Sequence, residues 1–135
     1  MPAGYSKRSL VEKLGIKEGS QIAILNPPEG YGATLGSLPK NVAPNSKLRA
    51  GLDFVHFFVK ERRQLAGEFS KLKSSLKPNG ALWISWPKAA SKIETDLNEN
   101  VVREIGLKNG LVDVKVCAVD EVWSGLKFVY RIKDR

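Results

Sequence analysis

The length, composition and charge of the chain exclude several classes of protein. With 135 residues, 42% of them hydrophobic and 27% charged, the chain has the composition of one soluble globular domain over residues 1–135. Its single cysteine, Cys117, excludes an internal disulfide and favours a reducing, cytoplasmic compartment. No apolar run approaches the ~20 residues that cross a membrane, and residues 1–10 lack the apolar stretch of a signal peptide.

The basic balance of the chain bears on its partners. A net charge of +8 and an isoelectric point of about 9.7 favour small anions, acidic proteins or nucleic acid. Lysine and arginine are spread along the whole chain without a long basic run, which weighs against nucleic acid. We therefore expect a small anionic ligand or an acidic protein, with nucleic acid as the alternative and no membrane partner.

Short helices and apolar strands alternate in the first half of the chain. Ser9 and Glu12 fit a capping box, which predicts a short helix that stops at Gly15. Residues 21–25 form an apolar run without alternation, as in a parallel strand that is covered on both faces. Three further elements are predicted: a weak helix over 31–38, at most a brief edge strand within 41–51, and a second buried strand over 52–59.

The second half contains the clearest helix, at residues 61–76, where leucine and phenylalanine recur every three or four residues. A turn at 77–80 and a third strand over 81–86 follow. Asp96 and Glu99 fit a second capping box, for a helix that Gly110 closes. Alternation with period two then predicts a terminal hairpin, whose two strands are joined across residues 121–125.

This order of elements predicts an α/β fold. We expect a Rossmann-like three-layer sandwich, with a mostly parallel sheet, helices on both faces and a C-terminal antiparallel hairpin.

Two segments resemble parts of a known family. LKPNGALWISWPK, residues 76–88, resembles the late helix end, turn and strand of class I S-adenosylmethionine-dependent methyltransferases, and residues 110–131 resemble that family's terminal hairpin. The resemblance implies a reduced methyltransferase-like topology. More narrowly, LNPPEGY, DFVHFFV, WISWPK, TDL and AVDEVWSGLKFV together resemble a small bacterial family of unknown function, which implies no activity.

The resemblance implies two cofactor-binding features, and the sequence lacks both. Methyltransferases of this class have a loop with glycines after the first strand, whereas Pro27 and Pro28 here remove N–H donors and fix φ. They also have an acidic residue at the end of the second strand for the ribose hydroxyls, but no Asp or Glu lies between Glu29 and Asp53. The sequence therefore predicts a degenerate site without a cofactor and disfavours S-adenosylmethionine.

The segment Asn26-Pro27-Pro28 permits a second interpretation. It resembles the Asn-Pro-Pro-aromatic motif of DNA amino-methyltransferases, whose aromatic ring stacks on a flipped base. Glu29 occupies the aromatic position, Tyr31 comes two residues later, and no glycine-rich loop follows downstream. We interpret the segment as a proline-stiffened turn between a strand and a helix.

Candidate site residues follow from the rule that ligands of open α/β sheets bind beyond the carboxyl ends of the strands. The predicted ligand-binding residues are Asn26, Glu29, Tyr31, Trp86, Lys88, Lys92 and Trp123. Glu29 and Asp120 are the candidates for acid–base catalysis, and the two lysines are candidates for holding a phosphate or carboxylate. His56 is expected to be a buried, hydrogen-bonded imidazole, and no metal site is predicted.

The absence of both cofactor features weighs against catalysis. The sequence favours a non-catalytic or divergent binding module on a methyltransferase-like scaffold, which recognises a small anionic ligand or an acidic partner. The alternatives are a divergent S-adenosylmethionine-dependent methyltransferase and a nucleic-acid-binding protein.

Overall fold

One six-stranded sheet organises the computed structural model, which describes residues 8–135. The strands are β1 (Ile22–Leu25), β2 (Pro44–Asn45), β3 (Leu52–Phe58), β4 (Leu76–Pro87), β5 (Leu111–Ala118) and β6 (Trp123–Tyr130). Their order across the sheet is β2-β1-β3-β4-β6-β5. The first four strands pair in parallel, whereas β6 is antiparallel to both β4 and β5. The predicted α/β architecture with a terminal antiparallel hairpin is therefore confirmed.

The helices are α1 (Leu10–Leu14), α2 (Tyr31–Leu35), α3 (Arg62–Ser75) and α4 (Glu99–Lys108), with 3-10 turns at Ala89–Ser91 and Ile132–Asp134. As predicted, the Ser9 hydroxyl caps α1 and Gly15 ends it in a left-handed conformation. No helix within residues 8–135 is long and apolar enough to cross a membrane. The segment examined for a signal peptide lies mostly outside the described residues.

Both faces of the sheet are covered. Helices α3 and α4 pack on one face, where Phe69 and Val102 join Val55 and Phe57 of β3 in the larger core. Helices α1 and α2 pack on the other face. The indole N–H of Trp83 donates to the carbonyl of Leu14 at 2.9 Å and ties α1 to the centre of β4. This coverage on both sides explains the unbroken apolar runs of the central strands.

Strand β4 begins earlier than the sequence predicts. Residues 77–80 were predicted to be a turn, but they lie within β4, where the register with β3 shifts between the Leu52–Leu76 and Phe54–Ala81 pairs. At Gly80 a Cβ atom would lie 2.9 Å from the carbonyl oxygen of Leu52. The Pro-Asn-Gly sequence therefore forms an irregularity within the strand, because the backbones approach too closely there for a side chain.

The cap of α4 also differs from the prediction. The Asn98 side chain caps this helix, because its amide oxygen accepts from the N–H of Val101 at 2.9 Å. Asp96 was predicted to be the cap, but its carboxylate accepts from the N–H of Arg62 at 2.6 Å, at the start of α3. Asp96 therefore joins the beginning of α3 to the segment that follows β4.

The connection between the two strands of the terminal hairpin is shorter at its C-terminal end than the predicted range of 121–125. The Asp120 carboxylate accepts from the N–H groups of Val122 and Trp123 at 2.8 and 2.7 Å, so that β6 starts at Trp123 rather than after residue 125. β5 is an edge strand, and Val114 and Val116 on it are exposed. The period-two pattern therefore identified the strand, but its valines are not core residues.

Candidate functional site

A crevice of about 560 Å³ opens at the carboxyl ends of β1 and β3, beside the start of β6. Its lining residues come from four parts of the chain: Asn26, Pro27, Pro28 and Glu29; Phe58, Val59, Lys60, Glu61 and Gln64; Ile93; and Trp123. Its volume falls within the range of about 300–1,000 Å³ that is usual for small-molecule sites. The crevice at this edge of the sheet is therefore large enough for a small molecule.

An adjoining hollow of about 450 Å³ extends the crevice. Lys60 and Glu61 line both spaces, and the hollow adds Glu94, Thr95 and Asp96. Among residues 8–135, the combined lining has carboxylates at Glu29, Glu61, Glu94 and Asp96 and an ammonium group at Lys60 alone. The crevice is therefore acidic, although the chain as a whole has a net charge of +8.

The loop after β1 forms one wall of the crevice. Asn26 has φ 54° and Gly30 has φ 84°, which are left-handed conformations that asparagine and glycine adopt most readily. The side-chain amide of Asn26 donates to the carbonyl of Phe58 at 3.5 Å and links the loop to the end of β3. With Pro27 and Pro28 between these two positions, the segment forms the stiff turn that the sequence indicates.

A buried hydrogen-bonded chain supports this wall from behind. The Tyr31 hydroxyl lies 2.7 Å from Nδ1 of His56, and Nε2 of His56 lies 2.7 Å from Oγ of Ser85. Burial lowers the pKa of His56 to about 3, so that its imidazole is neutral at pH 7. Burial, followed by the charges of Cys117 and Asp120, raises the pKa of the Tyr31 phenol. These two hydrogen bonds connect the start of α2 to β3 and β4.

The structure brings only some of the predicted site residues together. Asn26, Glu29 and Trp123 line the crevice, whereas Tyr31 and Trp86 are 4% and 5% exposed and pack in the two cores. Their aromatic side chains point inward, although both residues lie next to strand ends. Tyr31 therefore supports the loop from the core and is not part of the lining.

The polar candidates outside the lining have local structural contacts. The ammonium group of Lys88 donates to the carbonyl of Asp120 at 2.7 Å, and Lys92 is an exposed residue with φ 61° that ends a 3-10 turn. The carboxylate of Asp120 holds the β5–β6 connection. Within residues 8–135, no cluster of three or more metal-ligating side chains is present.

The acidic residues Glu61, Glu94 and Asp96 were missing from the sequence-based site. Glu61 comes shortly after β3, so the rule of strand ends was sufficient to find it. Glu94 and Asp96 lie in the segment between β4 and α4, and only the folded chain brings them beside Lys60. Asp96 had been assigned to a helix cap on local spacing alone.

Comparison with known proteins gives no match to a protein-family model and no match in sequence to a curated protein. Solved structures match over most of the chain. A SAM-dependent methyltransferase from Aquifex aeolicus has a TM-score of 0.59 at 18% identity, over 88% of this chain and 86% of that chain. The chain has a class I S-adenosylmethionine-dependent methyltransferase-like fold.

Two further methyltransferase-like structures were solved with S-adenosylmethionine bound. Magnesium protoporphyrin IX methyltransferase from Synechocystis PCC 6803 has a TM-score of 0.57 at 13% identity, over 90% of this chain and 74% of that chain. Fibrillarin from Aeropyrum pernix has a TM-score of 0.58 at 17% identity, over 90% and 72%. These structures correct the prediction that no cofactor binds. That prediction took two local motifs as decisive, whereas structures of the same fold hold S-adenosylmethionine.

Proposed function

We propose that the chain binds S-adenosylmethionine in the acidic crevice and is a divergent methyltransferase. The observation that carries this proposal is the excess of carboxylates at the carboxyl edge of the sheet, in a chain that is basic overall. Open α/β folds bind their ligands at this edge. The methyltransferase-like fold supports the same assignment.

The charge of the lining agrees with the charge of the ligand. S-adenosylmethionine carries a sulfonium and an ammonium group against one carboxylate, and is therefore a net cation. Opposite unit charges 4 Å apart attract by about 1 kcal/mol in bulk water and about 4 kcal/mol near a protein surface. Among the lining residues that the structure describes, a small anion would meet several carboxylates and one lysine, so this lining favours the cation.

The residues present fit the cationic part of the cofactor better than its ribose. Glu29 and Glu61 are the carboxylates that we assign to the positive groups, and Phe58 and Trp123 provide apolar surface that excludes water. The loop retains left-handed positions at Asn26 and Gly30, but its two prolines offer no N–H. No acidic residue lies between β2 and Asp53. The ribose hydroxyls must therefore be bound by groups other than the acidic residue that methyltransferases of this class have at the end of the second strand.

The chemistry of the proposed reaction requires little of the protein. The bound cofactor supplies an electrophilic methyl group. The chain must orient an acceptor beside it and take up a proton where the acceptor loses one. We assign this step to the carboxylates of the lining and not to Asp120, because the hydrogen bonds of the Asp120 carboxylate to Val122 and Trp123 commit it to the turn.

Calorimetric titration with S-adenosylmethionine and with S-adenosylhomocysteine tests the proposal. The demethylated compound lacks the sulfonium charge, so we expect it to depend less on the carboxylates. The double variant Glu29→Gln/Glu61→Gln should weaken S-adenosylmethionine binding by about 5- to 30-fold, which corresponds to about 0.5–1 kcal/mol for each partly solvated pair. The loss for S-adenosylhomocysteine should be smaller.

The matched control is Glu18→Gln/Glu104→Gln, which removes the same charge from exposed carboxylates outside the crevice lining. It should leave both affinities within about twofold. Absence of heat with S-adenosylmethionine up to millimolar concentration would refute the proposal. Equal losses for the two ligands in the crevice variant would refute the assignment of the carboxylates to the sulfonium.

A further inference from the structure

Five lysines lie near one another around the end of α1, β5 and β6. We call them the lysine row; its members are Lys13, Lys17, Lys88, Lys115 and Lys127. Lys115 and Lys127 are directly paired across the two strands. The ammonium of Lys115 donates to the carbonyl of Lys13 at 3.1 Å. Nζ of Lys127 lies 3.7 Å from the position that a Cβ atom would take at Gly15, the C-cap of α1.

The other end of the lysine row reaches the crevice. Lys88 directly follows β4, and its ammonium group donates to the carbonyl of Asp120 in the β5–β6 connection. The same connection leads into Trp123, which lines the crevice. The lysine row therefore extends from the end of α1 to the carboxyl edge, next to the proposed methyl-transfer site.

Within residues 8–135, none of these lysines forms a salt bridge with a carboxylate. Like charges directly opposite each other in a strand pair are destabilising. Burial and then the charges of Lys115 and Lys17 lower the pKa of Lys127. The backbone carbonyls hold Lys115 and Lys88 in place, but they carry no formal charge.

The charges of the row also act on Cys117. Burial raises the pKa of its thiol, and Lys115, Lys13 and Lys88 oppose that shift. Three members of the row, from α1, β5 and the segment after β4, are therefore near one side chain. The fold therefore keeps together a cluster of one exposed and four half-buried lysines that form no salt bridge within residues 8–135.

We propose that the lysine row binds the phosphodiester backbone of a nucleic acid. A polynucleotide strand carries one phosphate for about every 3.4 Å of helix axis, so an extended set of ammonium groups can contact several phosphates together. A free phosphate could meet only part of the row. Lysines contact phosphates as point charges and read no sequence, so we expect binding that depends on salt more than on base sequence.

The test is fluorescence anisotropy with end-labelled oligonucleotides of about 20 nucleotides, titrated between about 50 and 200 mM salt without S-adenosylmethionine. Single-stranded RNA, single-stranded DNA and duplex DNA are compared, because all three share the phosphodiester chemistry. Lys13→Gln/Lys17→Gln should lower the affinity by about tenfold and reduce the slope of log K against log salt by about 1.4–1.8. The arm with the tightest binding identifies the kind of nucleic acid.

The matched control is Lys71→Gln/Lys108→Gln, which removes two positive charges from α3 and α4 on the opposite face of the sheet. It should change the affinity by less than about twofold, because exposed charges beyond a Debye length of about 10 Å are screened. Equal losses in the two double variants would overturn the proposal, as would salt-independent binding in the unmodified chain.

Two further arms exclude other polyanions. Vesicles that contain phosphatidylserine, and polyglutamate, are titrated at the same concentration of negative charge. Tighter binding to either than to every oligonucleotide would overturn the proposal in favour of a membrane or an acidic protein. Because these measurements contain no S-adenosylmethionine, their failure would leave the proposed cofactor site unaffected, and failure of cofactor binding would leave the lysine row unaffected.

Discussion

The buried imidazole of His56 should make the stability of the fold depend on pH. In the folded state burial lowers its pKa to about 3, from an ordinary value of 6.5. Below pH 6.5 the unfolded chain therefore binds a proton that the folded chain does not, so the free energy of unfolding falls as the pH falls. The loss starts near pH 6.5, ends near pH 3, and amounts to about 2 kcal/mol between pH 7 and pH 5.

Urea denaturation at pH 7 and pH 5 measures this loss, and His56→Gln provides the comparison. Glutamine offers Tyr31 and Ser85 a donor and an acceptor but does not titrate. We expect the variant to be less stable at pH 7 by about 1–3 kcal/mol, yet to lose about 2 kcal/mol less than the unmodified chain on acidification. Equal losses in the two proteins would refute the reasoning, because they would show that His56 titrates alike in both states.

Two other substitutions test the packing around the site and the core. Tyr31→Phe should lower the free energy of unfolding by about 1–3 kcal/mol, because it leaves Nδ1 of His56 buried without a partner; a neutral result in urea denaturation would show that the bond does not stabilise the fold. Gly106→Ala should destabilise by about 1–3 kcal/mol or more, because its Cβ would lie 2.0 Å from the ring of Phe128. The matched control is Gly67→Ala, at an exposed position of α3 where an added Cβ would have no neighbour within 4 Å among the described residues; it should be neutral or raise the melting temperature.

Most elements of the fold could be predicted because burial produces strong local patterns. β1 and β3 are covered on both faces, so their apolar runs are unbroken, and the spacing of Leu65, Phe69 and Leu72 follows one face of α3. Local sequence patterns give the wrong prediction where contacts with a segment distant in sequence determine the conformation. Asp96 and Asn98 are both suitable caps by type, but Asp96 is held by the backbone of Arg62. Likewise, a glycine is required at position 80 because the backbone there lies too close to the carbonyl of Leu52 for a side chain.

The site could be predicted less completely than the fold. Of the residues that the rule of strand ends selects, Asn26, Glu29 and Trp123 line one crevice. The same rule does not say which way a side chain points, and for this reason it also selected Tyr31 and Trp86, which lie in the core. The direction of a side chain depends on packing across elements, and this information is absent from a single segment.

The distribution of charge reconciles a basic chain with the proposed cationic ligand. Net charge governs attraction at long range, but salt at physiological concentration screens exposed charges over about 8 Å. In the proposed function the crevice carboxylates lie closer than that to the bound cofactor and favour a cation, whereas the lysine row is proposed to act on partners outside the crevice. Lys88 and Trp123 are joined through the same turn. A polyanion on the row would therefore pass the mouth of a crevice that attracts a cation, which is the arrangement needed to bring an acceptor to S-adenosylmethionine.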